Sequence, residues 1–296
     1  MDHVSAAAVP VVRIDHLTKT FQNGRKKRLA LKNISIRIMP GEIVALIGAS
    51  GSGKSTMLRH MSGLTLGDET SGLVEVLGSA IQDKGKLAPG ARASRADIGF
   101  IFQQFNIVDR LPLLTNVLIG ALGRIPAWRG TMGWFTGEEK QLAMNALCHV
   151  GMSEFAWQRS STLSGGQQQR AAIARALAQK ARIILADEPI ASLDPASARR
   201  VMETLKQVNQ EYGITVIVSL HQVDYAFKYC ERIIALKEGE ICYDGPSAML
   251  TEEMLHDVYG EKFSETGVAE ERSISLLGAR NAFAPATAGR FAEAQV

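Results

Sequence analysis

Residues 43–55 read IVALIGASGSGKS, and this short stretch says most about the fold. Its first five residues are aliphatic, which predicts a strand buried on both faces. The next eight fit the pattern G-x-x-x-x-G-K-[ST], and residues 55–61 predict a helix directly after it. The glycines permit turns that point successive N–H groups at one anion, beside the positive end of the helix dipole. The stretch therefore predicts a strand, a phosphate-binding loop and a helix in succession.

The side chains of this loop suit a nucleoside triphosphate. Lys54 offers a positive charge to the β and γ phosphates, and the Ser55 hydroxyl can ligate Mg²⁺. A glycine-rich surface turn is the alternative, and the flanking strand and helix disfavour it. The expected nucleotide-binding residues of the loop are Gly48, Ala49, Ser50, Gly51, Ser52, Gly53, Lys54, Ser55 and Thr56.

The composition is that of an ordinary globular protein. The 296 residues are 46% hydrophobic and 21% charged, which excludes wholesale disorder and, at this length, suggests about two compact units. The net charge of +3 gives no reason to expect a nucleic-acid partner. No apolar run reaches the roughly 18 residues of a membrane span, and no signal peptide is recognisable. Three scattered cysteines suit a reducing cytosol and argue against structural zinc, so we expect a soluble cytosolic protein.

Further patterns predict an α/β fold with a mainly parallel sheet. Apolar runs at 98–102, 183–186 and 214–218 predict buried strands like that at 43–47. Helical patterns at 142–150 and 168–179 alternate with them, as in proteins whose parallel strands are joined by helices.

The N-terminal region has a different pattern. Residues 11–15 and 34–38 alternate apolar with polar side chains, which predicts half-exposed antiparallel strands. The basic run at 25–28 lies between them, and a solvated hairpin tip is the favoured interpretation, with a phosphate or lipid contact as the alternative.

Residues from about 104 to 168 lack a strong strand pattern and predict a helical lobe inserted in the core. We place the domain at 11–263. The Ala-rich residues that follow, 264–296, predict a flexible C-terminal tail.

Polar side chains follow three of the predicted strands, at the edge where parallel sheets present their ligands. Asp187 is predicted to hold Mg²⁺, and Glu188 to orient or deprotonate a water that attacks the γ-phosphate. Gln103 is placed to touch the metal or this water, and His221 to contact the γ-phosphate or fix Glu188. The alternatives are an acidic strand cap and a structural histidine.

The motif LSGGQ at 163–167 resembles the signature of ATP-binding-cassette (ABC) proteins, which lies between loop and acidic pair as it does here. Physically, Ser164 and the N–H groups of Gly165 and Gly166 cap a helix beginning near Gln167 and offer a second anion site. The alternative is a Ser-capped helix with a glycine turn. The resemblance implies that two copies of the chain enclose two ATP molecules head to tail.

The resemblance to ABC proteins extends over the chain up to about residue 263. It implies an ABC-type P-loop NTPase fold with a mainly parallel core sheet, an N-terminal antiparallel β subdomain and the inserted helical lobe. It also implies that Phe21 stacks on adenine, that Gln103 and His221 are the Q-loop and H-loop residues, and that 192–194 form the D-loop at the dimer interface. The helical lobe is implied to receive membrane subunits, and its aromatic residues either dock that partner or form the lobe's core: Trp128, Trp134 and Phe135.

Longer stretches resemble the ATP-binding subunits of bacterial phosphonate importers: 101–111, 116–123, 134–137, 186–194 and 220–226. That resemblance implies an ATP hydrolase that uses ATP and Mg²⁺ to drive phosphonate uptake. It implies integral-membrane permease subunits, an indirect periplasmic phosphonate-binding protein, and a peripheral location on the cytoplasmic face of the bacterial inner membrane.

Four other functions compete with this interpretation. Two remain open alternatives: a subunit of carbon–phosphorus lyase machinery, and an importer ATPase for another small anion. A nucleic-acid-acting cassette would need long coiled-coil inserts, and the spacing between Lys54 and Ser164 leaves no room for them. A small GTPase is disfavoured because no N-K-x-D or T-K-x-D motif follows the loop.

Overall fold

The computed structural model describes residues 9–260, except Arg25 and Phe105, and the predicted tail lies outside this range. The strands are β1 Val12–Asn23, β2 Lys26–Ile38, β3 Ile43–Ile47, β4 Val74–Val76, β5 Ser79–Asp83, β6 Lys86–Leu87, β7 Ile98–Ile101, β8 Ile183–Asp187, β9 Thr215–Ser219, β10 Arg232–Lys237 and β11 Glu240–Pro246. The helices are α1 Lys54–Met61, α2 Ala91–Ser94, α3 Leu113–Leu118, α4 Ala127–Met132, α5 Gly137–His149, α6 Gly165–Ala178, α7 Pro195–Tyr212, α8 Val223–Tyr229 and α9 Glu252–Tyr259.

The central sheet is mainly parallel, as predicted. Its strand order is β11-β10-β3-β9-β8-β7, with parallel pairing throughout except at β11, which closes one edge in the antiparallel sense. The carboxyl ends of the parallel strands therefore lie along one edge of the sheet. β3 sits between β10 and β9, so the loop that follows it leaves from the interior of this edge.

Both faces of β3 are buried, which explains its uninterrupted apolar sequence. Ile43, Ala45 and Ile47 pack in a cluster with the helices of one layer. Val44 and Leu46 face the opposite way, into a cluster with α1 and the second sheet. Burying an aliphatic side chain of this size stabilises the fold by roughly 1.5–3 kcal/mol, so each position in the run contributes to the core.

The second sheet is antiparallel, with the order β2-β1-β4-β5-β6. The predicted N-terminal strands are paired here, since Val12 lies opposite Ile38. Both strands are longer than predicted, because the pairing continues past the buried Leu17 and Leu31 and then through exposed residues, as far as Asn23 opposite Lys26. The hairpin connection lies between Asn23 and Lys26, so Lys26, Lys27 and Arg28 of the basic run belong to β2 rather than to the hairpin tip. Arg28 contacts the loop after β3.

Between β7 and β8 lie the helices α3 to α6. A capping box at Thr136 and Glu139 begins α5, and a second at Ser164 and Gln167 begins α6, which satisfies N–H groups that a helix start leaves open. The second box places the start of α6 at Gly165, two residues before the start near Gln167 that the motif predicts. Among the described residues, the structure contains no helix with the length and apolar character of a membrane span.

Candidate nucleotide site at the carboxyl edge of the sheet

The loop of residues 48–53 connects β3 to α1. Gly48, Gly51 and Gly53 have φ values of +141°, +80° and +113°, a region that other residues rarely adopt. A Cβ atom at Gly48 would also overlap the carbonyl oxygen of Leu236 in β10. The glycines are therefore required by backbone conformation and, at Gly48, by the close approach of the neighbouring strand.

The ammonium group of Lys54 lies over the loop. Its side chain is 3% exposed, and Nζ donates to the carbonyl oxygens of Gly48 at 2.7 Å and Ala49 at 3.1 Å. Burial lowers the pKa of Lys54, and the nearby carboxylates of Glu188 and Asp187 act in the opposite direction. The lysine thus brings a positive charge to a nearly water-free position in the centre of the loop.

Two further features of the loop fit an anion. The Ser52 hydroxyl is buried and has no hydrogen-bond partner among the described residues. The N-cap of α1 is Gly53, so no side chain of the cap binds the N–H groups of its first turn. Buried polar groups normally have partners, and an uncapped helix N-terminus favours negative charge. The residues present therefore fit the phosphate groups that the sequence motif predicts.

Asp187 and Glu188 lie at the end of β8, and Ser219, at the end of β9, forms a hydrogen bond with each of them. The Ser219 hydroxyl donates to Asp187 Oδ1 at 2.9 Å and accepts from the backbone N–H of Glu188 at 2.8 Å. Ser219 is fully buried, and it is paired with Asp187 in the parallel register. Ser219 was not among the residues that the sequence patterns singled out, although a polar side chain closing the apolar strand β9 was a usable signal.

His221 lies directly against Glu188, which is one of the two positions that the sequence left open for it. Nε2 of His221 is 2.6 Å from Oε1 of Glu188. This hydrogen bond is the largest effect on the pKa of Glu188 and lowers it; the positive charge of Lys54 adds to the decrease, and burial opposes it. Glu188 is therefore ionised at neutral pH, and its carboxylate oxygen is fixed by the imidazole. Glu188 also has a φ of +49°, which turns its side chain away from the continuing strand direction.

Phe21 and the loop line one cavity of about 150 Å³, together with Ser55, Thr56 and Glu188. Phe21 lies in β1 and is 44% exposed, and the ammonium of Lys19 is 5.3 Å from its ring centroid. The structure thus brings together an accessible aromatic face, the phosphate-binding loop and the ionised carboxylate, at one end of the sheet.

Gln103 is not in this cavity. It lines a second cleft with Gln168 and Ser192, in a space of about 600 Å³. The reason is the strand order: Gln103 follows β7, which lies at the edge of the sheet with β8 and β9 between it and β3. Its predicted contact with metal or water stays a prediction.

The signature residues are also apart from the loop. Ser164 is exposed, and its hydroxyl accepts from the Gln167 N–H at 3.3 Å while Gln167 Oε1 accepts from the Ser164 N–H at 2.8 Å. Gly166 is buried against α7, where a Cβ atom would lie 2.7 Å from Ser197 Cβ. The second glycine of the motif therefore has a packing role that its pattern did not indicate.

Gly48, the first residue of the loop, also contacts the C-terminal helix α9. The hydroxyl of Tyr259, the last residue of α9, accepts from the Gly48 N–H at 3.1 Å. Burial raises the pKa of Tyr259 to about 12. The two residues are far apart in the chain, so no local pattern could have predicted this contact.

The three aromatic residues that the sequence singled out in the helical region divide into two groups. Trp128 and Trp134 are 56% and 59% exposed, and their rings meet edge to face at 5.7 Å. Phe135 packs against the main hydrophobic cluster. The two tryptophans with neighbouring Met132, itself 76% exposed, form an apolar surface that we call the tryptophan patch.

Known proteins share this architecture and sequence. Residues 31–191 match the model of the ABC transporter family. The phosphonates import ATP-binding protein PhnC of Stutzerimonas stutzeri is 56% identical over 274 residues, which cover 90% of this chain and 98% of that protein. The phosphonates import ATP-binding protein PhnC of Shigella flexneri is 58% identical over 250 residues, covering 84% and 94%.

Solved structures of other proteins have a similar fold. The dimeric ATP-binding cassette MJ0796, in a post-hydrolysis state bound to ADP and Pi, is 38% identical with a TM-score of 0.69, covering 80% of this chain and 98% of that chain. The cassette cbiO1 of Clostridium perfringens, part of the transporter complex cbiONQ, is 25% identical with a TM-score of 0.70, covering 92% and 99%. With the matching family model and relatives over half identical along nearly their whole length, this chain belongs to the ABC transporter family, as one of its ATP-binding cassettes.

Proposed function

We propose that the protein is the ATP-hydrolysing subunit of a bacterial importer that takes up phosphonates through a separate permease. The observation that supports hydrolysis is the meeting of Lys54, Asp187, Glu188 and His221 at one edge of the sheet. The choice of phosphonate rests on relatives at 55–58% identity that carry that name.

The loop residues bind the triphosphate, and Lys54 exchanges its two carbonyl contacts for phosphate oxygens. Ser55 and Asp187 would hold Mg²⁺, and Gln103, which lines the second cleft in this structure, would join them by moving toward the loop. When bound, that ion offsets negative charge on the phosphate oxygens, and oxygen donors of this kind suit it. Phe21 stacks on the adenine from the exposed side of the cavity.

Glu188 then serves as the base. Its carboxylate, ionised and held by His221, orients a water and accepts its proton as the water oxygen bonds to the γ-phosphorus. The bond from that phosphorus to the β–γ bridging oxygen breaks, which yields ADP and inorganic phosphate. The Ser219 hydroxyl keeps Asp187 and Glu188 in position relative to each other during this step, through its hydrogen bonds to both residues.

A second copy of the chain completes the site. The signature residues Ser164, Gly165, Gly166 and Gln167 lie outside the cavity that contains Lys54 in the same chain. Facing the loop of a partner copy, the N-terminus of α6 would stabilise charge that develops on the γ-phosphate, an effect that can change a rate by about a hundredfold or more. The dimeric arrangement of the solved relative supports this.

The membrane partner docks on the helical region. The tryptophan patch exposes large apolar rings, and residues of this type are enriched at protein interfaces. The chain would thus sit on the cytoplasmic face of the inner membrane, with a periplasmic binding protein delivering the phosphonate to the permease.

Reconstitution in proteoliposomes tests the proposal. The chain is combined with its permease and binding protein, and ATP hydrolysis is measured with methylphosphonate, phosphate or sulfate on the binding-protein side. We expect stimulation by the phosphonate alone, and none in the matched variant Glu188→Gln, which should still bind ATP and accumulate as a dimer. Stimulation by phosphate alone would assign another anion, and co-purification with a soluble enzyme complex instead of the permease would contradict import.

A further inference from the structure

Arg28 lies in the nucleotide cavity rather than at the tip of the hairpin. It is on β2, directly opposite Phe21 in the antiparallel register. Directly opposed residues of an antiparallel pair have their side chains on one face of the sheet, about 4.5–5.5 Å apart at Cβ. The guanidinium is therefore next to the aromatic ring on which we place the adenine, and it lines the same cavity.

The guanidinium also covers the loop. Nη2 of Arg28 donates to the Gly51 carbonyl oxygen at 2.8 Å. A Cβ atom at Gly51 would lie only 2.5 Å from the same nitrogen, so the group rests on the loop backbone itself. Arg28 thus bridges the two parts of the site, the aromatic residue of the N-terminal sheet and the turn that follows β3.

Arg28 forms no ion pair with a carboxylate in the described part of the chain, although Glu188 lines the same cavity. Arg13, Arg124 and Arg232 are each paired with a carboxylate. Within residues 9–260 as described, the guanidinium of Arg28 instead donates a hydrogen bond to a neutral carbonyl oxygen, that of Gly51. A guanidinium offers five donors in a planar fork, which matches a phosphate better than a single carbonyl.

We propose that Arg28 is a nucleotide-binding residue that contacts the triphosphate at the end nearest the base. This inference rests on ATP as the ligand of the loop, as proposed above. On binding, the guanidinium leaves the Gly51 carbonyl for an anionic oxygen, and its positive charge adds to that of Lys54 at the opposite end of the phosphate chain. Neither the loop motif nor the aromatic position identifies this residue.

The test measures nucleotide affinity by titration calorimetry in the full chain carrying Glu188→Gln, so that no hydrolysis intervenes. Arg28→Ala should weaken MgATP and MgADP binding about tenfold, the usual size for one charge-assisted hydrogen bond, and should not change adenosine binding. The affinity of the Arg28→Ala variant should also depend less steeply on salt, because one charge pair is gone. Lys27→Ala, on the neighbouring exposed position, is the matched control and should bind as the parent does.

Two conservative variants distinguish the effect of the positive charge of Arg28 on nucleotide binding from the effect of its hydrogen bond to the loop. Arg28→Lys keeps the charge and should retain part of the affinity, whereas Arg28→Gln keeps a donor for Gly51 and should bind as weakly as Arg28→Ala. If Arg28→Gln binds normally, or if adenosine binding falls as much as MgATP binding, the residue only supports the loop and the inference is wrong. Unchanged MgATP affinity in Arg28→Ala would overturn this inference alone, while a parent chain that fails to bind MgATP would overturn the ATP site as well.

Discussion

Two helices of the protein, α1 and α6, begin at glycine-rich turns, and their N-termini are in opposite states. At α1 the turn is built into the core, Lys54 is buried over it, and the Ser52 hydroxyl lacks a partner among the described residues. At α6 the box of Ser164 and Gln167 satisfies its own N–H groups, and Ser164 is exposed. Within the described part of the chain, the N-terminus of α1 thus has unpaired donors that can bind a ligand, whereas the N-terminus of α6 is capped by its own side chains and lies at the surface.

The difference indicates that the N-termini of α1 and α6 have separate roles in the site. Preorganised donors in a buried site stabilise charge strongly because little reorganisation is needed. A surface turn acquires the same low-dielectric surroundings only when another molecule covers it. The contrast therefore favours a site in which α1 binds the nucleotide and α6 acts on it from a second copy.

The largest effect is expected from mixing two inactive variants. Lys54→Ala should abolish ATP binding by its own loop, and Ser164→Ala should leave binding intact while lowering hydrolysis at least about a hundredfold. In a mixed dimer, the loop of the Ser164→Ala chain meets the signature of the Lys54→Ala chain, and one intact site results. Mixing equal amounts should therefore recover roughly a quarter of the parent ATPase rate if the two sites of the symmetric dimer act independently.

The control for this mixture uses two changes on the same side of the site. Lys54 and Glu188 both belong to the half built around β3 and β8, so mixing Lys54→Ala with Glu188→Gln gives no intact site and no recovery. Recovery in this second mixture, or its absence in the first, would contradict the division between the two helices.

A smaller effect is expected within the α1 half. Ser219→Ala removes the hydroxyl that links Asp187 to the backbone of Glu188, so kcat should fall about ten- to a hundredfold while KM for MgATP changes little. Steady-state kinetics on the dimer measure both constants.

Ser219→Thr is the matched variant, because it keeps the hydroxyl and should restore most of the rate. A parallel loss in both variants would indicate that packing at this buried position matters, and not the two hydrogen bonds.

The smallest effect concerns the support of the loop by the C-terminal helix. Tyr259→Phe leaves the Gly48 N–H without its acceptor in a buried position, which should lower the free energy of unfolding by about 1 kcal/mol and weaken ATP binding severalfold. Urea unfolding and ATP titration measure the two changes. Tyr243→Phe removes a hydroxyl that binds the Pro246 carbonyl oxygen on the exposed edge strand, and it should leave ATP binding unchanged. Equal effects of the two variants would contradict a specific role for Tyr259.

Local patterns were enough to predict the loop and the parallel strands, and they included the contact of Glu188 with His221 as one of two alternatives. They were informative because β3 is buried on both faces, so its sequence is apolar at every position, and because parallel strands end at one edge. The same patterns missed Ser219 and Tyr259, and for the basic run that contains Arg28 they favoured a solvated tip over a phosphate contact. Each of these residues contacts a segment between 23 and 211 residues away. The patterns also placed the start of α6 near Gln167, two residues late, although they identified Ser164 as its cap.

Motif spacing and strand patterns were therefore sufficient for the fold class and for a nucleoside triphosphate as ligand, because backbone conformation and strand burial restrict the residue types allowed at each position. The family came from the resemblance of the motifs to those of ABC proteins. The three-dimensional arrangement was needed to show which side chains hold the carboxylates, which arginine enters the cavity, and that the signature turn faces outward. These are properties of strand order and of contacts between distant segments, and no residue's immediate neighbours in the chain specify them.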